Sequence, residues 1–482
     1  MNYVTVIIIV TNINCFFYMT FEMFIIAFCL FIFISSSSSS SSLKSSDIVI
    51  TILSQPDEYH VSHAELLKNQ IIKDAEALDQ KAPEFILTHE EQIDGSWTFF
   101  PLIPKLSSKF PEAKWFFFCL ENTAIKLPLL LNVLSKFKVS DNTWVSHVLY
   151  DEEPTIIHHF ADHTKKFKYP NLASGFAMTS TFLHNLNKRL SKEGLPNVDF
   201  SIDASYEFSS YIYNNGKGPR LTYSPEFCIF FTENCATYPK GFHACTNSIS
   251  QDDIYVAVKT YDKNHQDRVP IIMKTWLKNV KNFGLYSNVE DKSLPNVHVV
   301  PDTKEGHCEK TYAILKHSNN VLKKNNFNWL VVADDDTIFS IARLQWVLTC
   351  YNPKKSIALG ERYGYRTIRD TGYDYLTSGA GLVLSSSLVE KIVNSPSCKC
   401  PTASTPDDMF LFGICLNNIE GQIIHSPLFH QARPSDYARN YLASQEPVSF
   451  HKFWMIDPLE VYDQWFSDAD STLESKWRHT EL

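Results

Sequence analysis

Apolar runs closed by a few polar residues recur along this chain. Residues 329–339, WLVVADDDTIF, read as a short buried strand, Leu330 to Ala333, that runs straight into Asp334, Asp335 and Asp336. Residues 115–125, WFFFCLENTAI, have the same build with aromatic side chains and a single acid. TSGAGLVLS (377–385) is a glycine-rich turn feeding an apolar segment, and TPDDMFLFGICL (405–416) opens a helix-like apolar run with the pair Asp407, Asp408. The first 34 residues are apolar with one charged side chain, Glu22, and their best block, Met23 to Ile34, is followed at once by the serine tract Ser35 to Ser42. That block suits a signal-peptide core better than a span of about 20 residues, with an uncleaved anchor over Val4 to Ile34 as the alternative.

The recurrence has an order. WFFFCLENTAI falls on WLVVADDDTIF, DIVITILSQ (47–55) answers DIYVAVKTY (253–261), YPNLASGFAMTS (169–180) answers YDYLTSGAGLVL (373–384), and YIYNNGKGPRLTYSPEFC (211–228) answers ICLNNIEGQIIHSPLFH (414–430). The offsets are 214, 206, 204 and about 202, in the same order along both halves. Internal duplication is the expectation. In the first copy the acidic triplet has become Leu120, Glu121 and Asn122, and Cys228 stands where the second copy has His430. A site left with one carboxylate binds a divalent cation poorly, so the first copy is expected to be catalytically silent. Such a domain would grip the acceptor, brace the catalytic half or only pack.

Length and charge bound the rest. At 482 residues two or three domains are expected. A net charge of -9 without a basic block argues against nucleic acid as a partner. Beyond the leader stand nine cysteines, an odd number, with a disulfide expected among Cys228, Cys235 and Cys245 and no zinc-finger spacing. The acidic run Asp151, Glu152, Glu153 and the pair His158, His159 read as solvated loop. The chain ends His479, Thr480, Glu481, Leu482, a variant of a retrieval-type address, which with the leader points to the lumen of the endoplasmic reticulum and a retrieval receptor as partner.

Three adjacent carboxylates at a strand end repel unless neutralised, and a hard divalent cation bridging a nucleotide diphosphate is the economical explanation, against an acidic helix cap. HSPLFHQARPSDY (425–437) adds His430, a candidate metal ligand, and Arg433. The succession DDD, TSGAG, PDD, SPLFH resembles the fringe-like β1,3-glycosyltransferases over about residues 250–465. VAVKTYDKNHQDRVPIIMKTW (256–276) is similar to that family's first strand, donor loop and helix, and ARPSDYARNYLASQEPVSFHKFWMIDP (432–458) resembles its branch that glucosylates O-linked fucose.

The resemblance implies an α/β fold of two tandem GT-A-like, Rossmann-like domains. The expected division is 1–34 leader or anchor, 35–46 linker, 47–235 degenerate domain, 236–250 linker, 251–465 catalytic domain and 466–482 tail. It also implies Mn²⁺ at Asp334, Asp336 and His430, and a UDP-sugar held by Thr260, Arg268, Lys310, Asp334 and Asp335. Gly379, Ala380 and Gly381 would line the donor cleft, and one of Asp407 and Asp408, with Asp407 slightly preferred, would act as base. The implied reaction moves glucose from UDP-glucose to O-linked fucose on folded thrombospondin type 1 repeats, with inversion. Another UDP-sugar, or a non-catalytic glycoprotein-binding factor, are the alternatives. A membrane is a partner only if the leader stays uncleaved.

Overall fold

The computed structural model describes residues 42–478 apart from 92, 162–165, 197, 247–248 and 370. The expected leader and the terminal HTEL lie outside the described residues. In the first half the strands β1 (Ile48–Leu53), β2 (Glu84–Leu87), β3 (Trp115–Leu120), β4 (Trp144–Ser146), β5 (Phe176–Thr179) and β6 (Thr222–Tyr223) form one sheet in the order β6-β4-β5-β3-β1-β2. In the second half β7 (Ile254–Lys259), β8 (Phe283–Ser287), β9 (Val297–Val299), β10 (Trp329–Asp334), β11 (Ile357–Gly360), β12 (Leu382–Ser385) and β13 (Gln422–His425) form another, in the order β13-β11-β12-β10-β7-β8-β9. β1 is buried at every position, and β7 and β10 at every position but the last. Continuous burial of this kind belongs to mainly parallel sheets covered on both faces, as in α/β proteins.

The second sheet repeats the six strands of the first in the same order and adds β9 at one edge. β1 is parallel to β2 and β3, as β7 is to β8 and β10. β5 runs antiparallel to β3 and β4, as β12 does to β10 and β11. β6 and β13 lie parallel to β4 and β11. Outside the sheets, Thr123–Ile125 pairs antiparallel with Thr237–Pro239, as Thr337–Phe339 does with Ser449–His451. The same hydrogen bonds recur as well. The Leu120 N–H donates to Thr123 Oγ1 and the Asp334 N–H to Thr337 Oγ1, and these hydroxyls donate to Ala173 O and Gly379 O.

This register corrects one sequence match. Trp115 faces Thr179 where Trp329 faces Ser385, so the third offset is 206 and Gly175 lies on Gly381. Both glycines are left-handed, with φ 77° and 75°, which identifies them as the same turn. The sequence match had laid LASG on LTSG, two residues out.

The aromatic run at 115–120 is core. Phe118 stacks on Phe176 with centroids 4.8 Å apart, and Phe99 and Phe208 complete the cluster. Residues 44–482 form one compact unit, so the halves are not separate bodies. Phe200–Ser201 of the first half extends the hairpin of Arg362–Tyr365 and Tyr373–Leu376 in the second. The expected linker 236–250 contains the strand Thr237–Pro239. The expected tail starts with buried Phe466 and the helix Ser467–Arg478, whose Asp470 accepts from Ser340 Oγ at 2.8 Å and Ala342 N at 3.0 Å. Disulfides join Cys228–Cys235, Cys245–Cys350, Cys308–Cys400 and Cys398–Cys415, leaving Cys119 as a buried thiol. Among the described residues no helix is long and apolar enough to cross a membrane.

Candidate active site

The parallel strands β7 and β10 end in register at Lys259 and Asp334, the edge of an open sheet where ligands bind. Lys259 Nζ lies 3.0 Å from Asp334 Oδ1 and 3.1 Å from Asp407 Oδ2. The three acids of the turn then diverge in environment. Asp335 is buried: its Oδ2 accepts from Thr260 Oγ1 and Asn264 Nδ2, each at 2.7 Å, and its Oδ1 accepts from Arg268 at 3.0 Å. It anchors the loop after β7. Asp336 accepts from Arg268 at 3.0 Å and lies 3.1 Å from His451 Nε2.

Asp334, Asp336 and His451 each offer one ligand atom, all within 4.8 Å of one another. His451 Nδ1 is 3.1 Å from the carbonyl of Gln431. A carbonyl only accepts, so the Nδ1 proton is fixed and Nε2 is presented to the carboxylates, the arrangement typical of a metal-binding histidine. Two carboxylates and an imidazole suit Mn²⁺.

His430, the expected ligand, is elsewhere. Its Nε2 lies 3.1 Å from Gln445 Oε1 and its ring stacks on Phe450, 5.0 Å between centroids. Burial lowers its pKa to about 3, so it remains a neutral packing residue. The sequence holds two Phe-His pairs, 429–430 and 450–451. Antiparallel pairing of Thr337 with His451 decides which one meets the acids.

Asp407 and Asp408 have opposite surroundings. Asp407 Oδ2 accepts from Lys259 at 3.1 Å and Thr311 Oγ1 at 2.6 Å. Burial opposes its ionisation, but the Lys259 charge and these bonds outweigh it and lower its pKa. Asp408 is raised to about 7 by burial and then by the charge of Asp407, and its Oδ1 is buried without a hydrogen-bond partner. Asp407 is thus an acid held by Lys259 and Thr311, whereas Asp408 keeps an oxygen without a partner and is the one of the two placed to take a proton.

The remaining expected residues frame this cluster. Lys310 is buried, which lowers its pKa ahead of the Lys259 charge, and its Nζ donates to the Thr260 carbonyl. A Cβ at Gly379 would run into the His451 ring, so glycine there admits the histidine. Ala380 is fully buried, its N–H donating to Gln431 Oε1 at 2.7 Å. Gly381 is needed for its left-handed turn against Phe339. Sequence reasoning passed over Lys259, Thr311, Gln431 and His451. A lysine ending an apolar strand, VAVK, was the one available signal.

The matching positions of the first sheet carry other residues. Register places Leu53 on Lys259, Leu120 on Asp334, Asn122 on Asp336 and Pro239 on His451. Glu121 is retained but buried, 3.4 Å from His60, whose other nitrogen is 2.6 Å from Asp57. Gln55 beside it clasps the His425 backbone of the second half with two bonds, of 2.9 and 2.8 Å. The acids and histidines at 151–159 are not all solvated loop either, because Asp151 and His158 are buried.

Known proteins match this sequence. A family model described as Fringe-like matches residues 249–477, which takes in the second sheet and none of the first. The Beta-1,3-glucosyltransferase of Mus musculus is 42% identical over 434 residues, spanning 88% of this chain and 87% of the mouse protein. That of Homo sapiens is 42% identical over 433 residues, spanning 88% and 85%. The Beta-1,3-N-acetylglucosaminyltransferase lunatic fringe of Xenopus laevis is 25% identical over 229 residues, 41% of this chain and 58% of that protein.

Proposed function

The chain belongs to the β1,3-glucosyltransferases of the fringe-like family, and from that premise we propose that it moves glucose from UDP-glucose, with Mn²⁺, to the 3-hydroxyl of O-linked fucose on a folded acceptor such as a thrombospondin type 1 repeat. The observation that carries the reading is the meeting of Asp334, Asp336 and His451, with Lys259 linking Asp334 to Asp407 and so to the neighbouring Asp408, one of whose carboxylate oxygens has no partner.

In this reading Asp408 takes the proton of the acceptor hydroxyl as its oxygen attacks the anomeric carbon. The bond from that carbon to the diphosphate breaks on the opposite face, so an α-linked donor gives a β product in one displacement. Asp334, Asp336 and His451 would hold Mn²⁺, which when bound neutralises the charge of the departing diphosphate. Lys259 keeps Asp407 ionised and pairs with Asp334. Asp335, through Thr260, Asn264 and Arg268, shapes the loop beside the nucleotide, and Lys310 braces it from below. No second carboxylate acts as nucleophile, and none is required.

The first half is a degenerate transferase-like domain that kept the strand order and carries none of the counterparts of Asp334, Asp336 and His451. An oxidising lumen, the expectation raised by the apolar leader and HTEL, is supported by four disulfides. Purified protein incubated with O-fucosylated repeats and a panel of UDP-sugars, with and without chelator, tests the reaction. Transfer from UDP-glucose that stops on chelation is expected. Transfer from UDP-N-acetylglucosamine alone would overturn the donor, and chelator-resistant transfer the metal.

A further inference from the structure

Gln431 sits between the glycine turn and the ligand histidine, with most of its polar groups taken. Its backbone N–H donates to a carboxylate oxygen of Glu361, its carbonyl lies 3.1 Å from His451 Nδ1, and its side-chain Oε1 accepts from the Ala380 N–H at 2.7 Å. The last bond fixes the amide. A backbone N–H only donates, so the side-chain oxygen must face Ala380 and the NH2 must face the other way. Among the described residues Nε2 has no hydrogen-bond partner.

The glycine marks where that NH2 lies. A Cβ on Gly379 would stand 2.7 Å from Gln431 Nε2 and 2.6 Å from His451 Nδ1, so the amide and the ligand ring share the space that the missing side chain leaves. Through its other nitrogen the same ring meets Asp334 and Asp336. A hexose joined to the diphosphate that this cluster would hold therefore lies beside the amide, which offers it N–H donors and no charge.

The first half folds the same segment without the amide. Phe227 bridges to Thr237 as Phe429 does to Ser449, and the hydroxyls of Thr237 and Ser449 donate to Ser174 O and Ala380 O. Ile229 then stands at the place of Gln431, as Pro239 stands at that of His451. The common turn needs no glutamine, so the amide kept beside the acids is free for a ligand.

We propose that Gln431 is a donor-sugar residue: its NH2 donates to a hydroxyl oxygen of the hexose in the bound UDP-sugar. This rests on the transferase reading above. A sugar hydroxyl accepts such a bond, and an analogue with hydrogen in its place leaves the donor unpaired, so the amide discriminates between them.

Full-length Gln431→Met and the parent are assayed with UDP-glucose and with deoxy analogues that each lack one hexose hydroxyl. With UDP-glucose the variant should lose about five- to tenfold in kcat/KM, the worth of one hydrogen bond. The parent should lose a similar factor with one of the analogues, and the variant should lose nothing further with that same analogue. Equal further losses in variant and parent with every analogue, or an unchanged kcat/KM of the variant with UDP-glucose, overturn the contact. A crystal structure of the parent with Mn²⁺ and UDP-glucose reads it without any substitution. A hexose hydroxyl about 3 Å from Nε2 is expected, and a hexose out of its reach overturns the assignment. A parent chain that neither transfers from nor hydrolyses any UDP-sugar overturns the transferase reading itself, and the sugar contact with it.

Discussion

At one strand edge of the second half stand Lys259, Asp334, Asp336 and His451, and at the matching places of the first half stand Leu53, Leu120, Asn122 and Pro239. The backbone beneath them is the same, down to the threonine that ties each turn to the strand beside it. Four changed side chains alter the strand edge and leave the architecture, and two of the replacements, Leu53 and Leu120, join the apolar core instead. A fold is held by its ladders and apolar faces, whereas a site is a handful of side chains grafted on strand ends.

The sharpest way to break this comparison is to make the second edge resemble the first. Asp336→Ala should lower kcat by at least about 1,000-fold, the upper range for removing a group that stabilises developing charge. Asn122→Ala should leave kcat within about twofold, a change that touches no transition-state contact. Thermal melts of both should stay near that of the parent.

Next in size, Asp408→Asn should cost at least about 100-fold in kcat, as expected for a lost general base. In the parent, kcat/KM should rise with pH up to about 7, because the base must be ionised, and that limb should vanish in the variant. Asp407→Asn should lose stability instead, by about 1–3 kcal/mol, because Lys259 keeps Asp334 but loses one of its two buried carboxylate partners.

The two histidines separate by metal binding. His451→Gln should weaken Mn²⁺ binding, read by electron paramagnetic resonance, by at least about 100-fold. His430→Gln should retain it, and equal losses in both would reverse the assignment.

Each half also hides one carboxyl that burial raises to about 8, Glu207 in the first and Glu361 in the second. Their folded pKa lies above the ordinary value, so their contribution is full below the ordinary carboxylate range and is lost as pH rises through 8. Denaturant melts should lose stability on the order of 2–4 kcal/mol over that window, and Glu207→Gln should flatten part of the loss.

The smallest effect tests the common turn. Gly175→Ala and Gly381→Ala should each cost about 1–3 kcal/mol by melts, since both are left-handed and both would drive a Cβ into a phenylalanine ring.

Much of this was legible in order along the chain. The acidic turn, the glycine turn, the Asp407–Asp408 pair and three of four repeat offsets are local strings, and local strings survive being read in one dimension. The 204-residue offset failed because matching letters rewards identity where the sheet rewards hydrogen-bond register. His430 failed because two Phe-His pairs are alike until a strand pairs with one of them. Asp151 and His158 looked solvated because nothing near them in sequence reveals Asp203, 45 residues from the histidine.

The sequence by itself determined the α/β architecture, the doubling of the sheet and the half that keeps its acids. These depend on runs of apolar residues and on residue types within one turn. Tertiary structure alone decided which histidine meets the carboxylates, that Lys259 holds Asp407 while one oxygen of Asp408 stays without a partner, and that Phe200–Ser201 of the first half pairs with a hairpin of the second. Those outcomes are set by burial and by distances of about 3 Å between residues far apart in the chain, which only packing brings together.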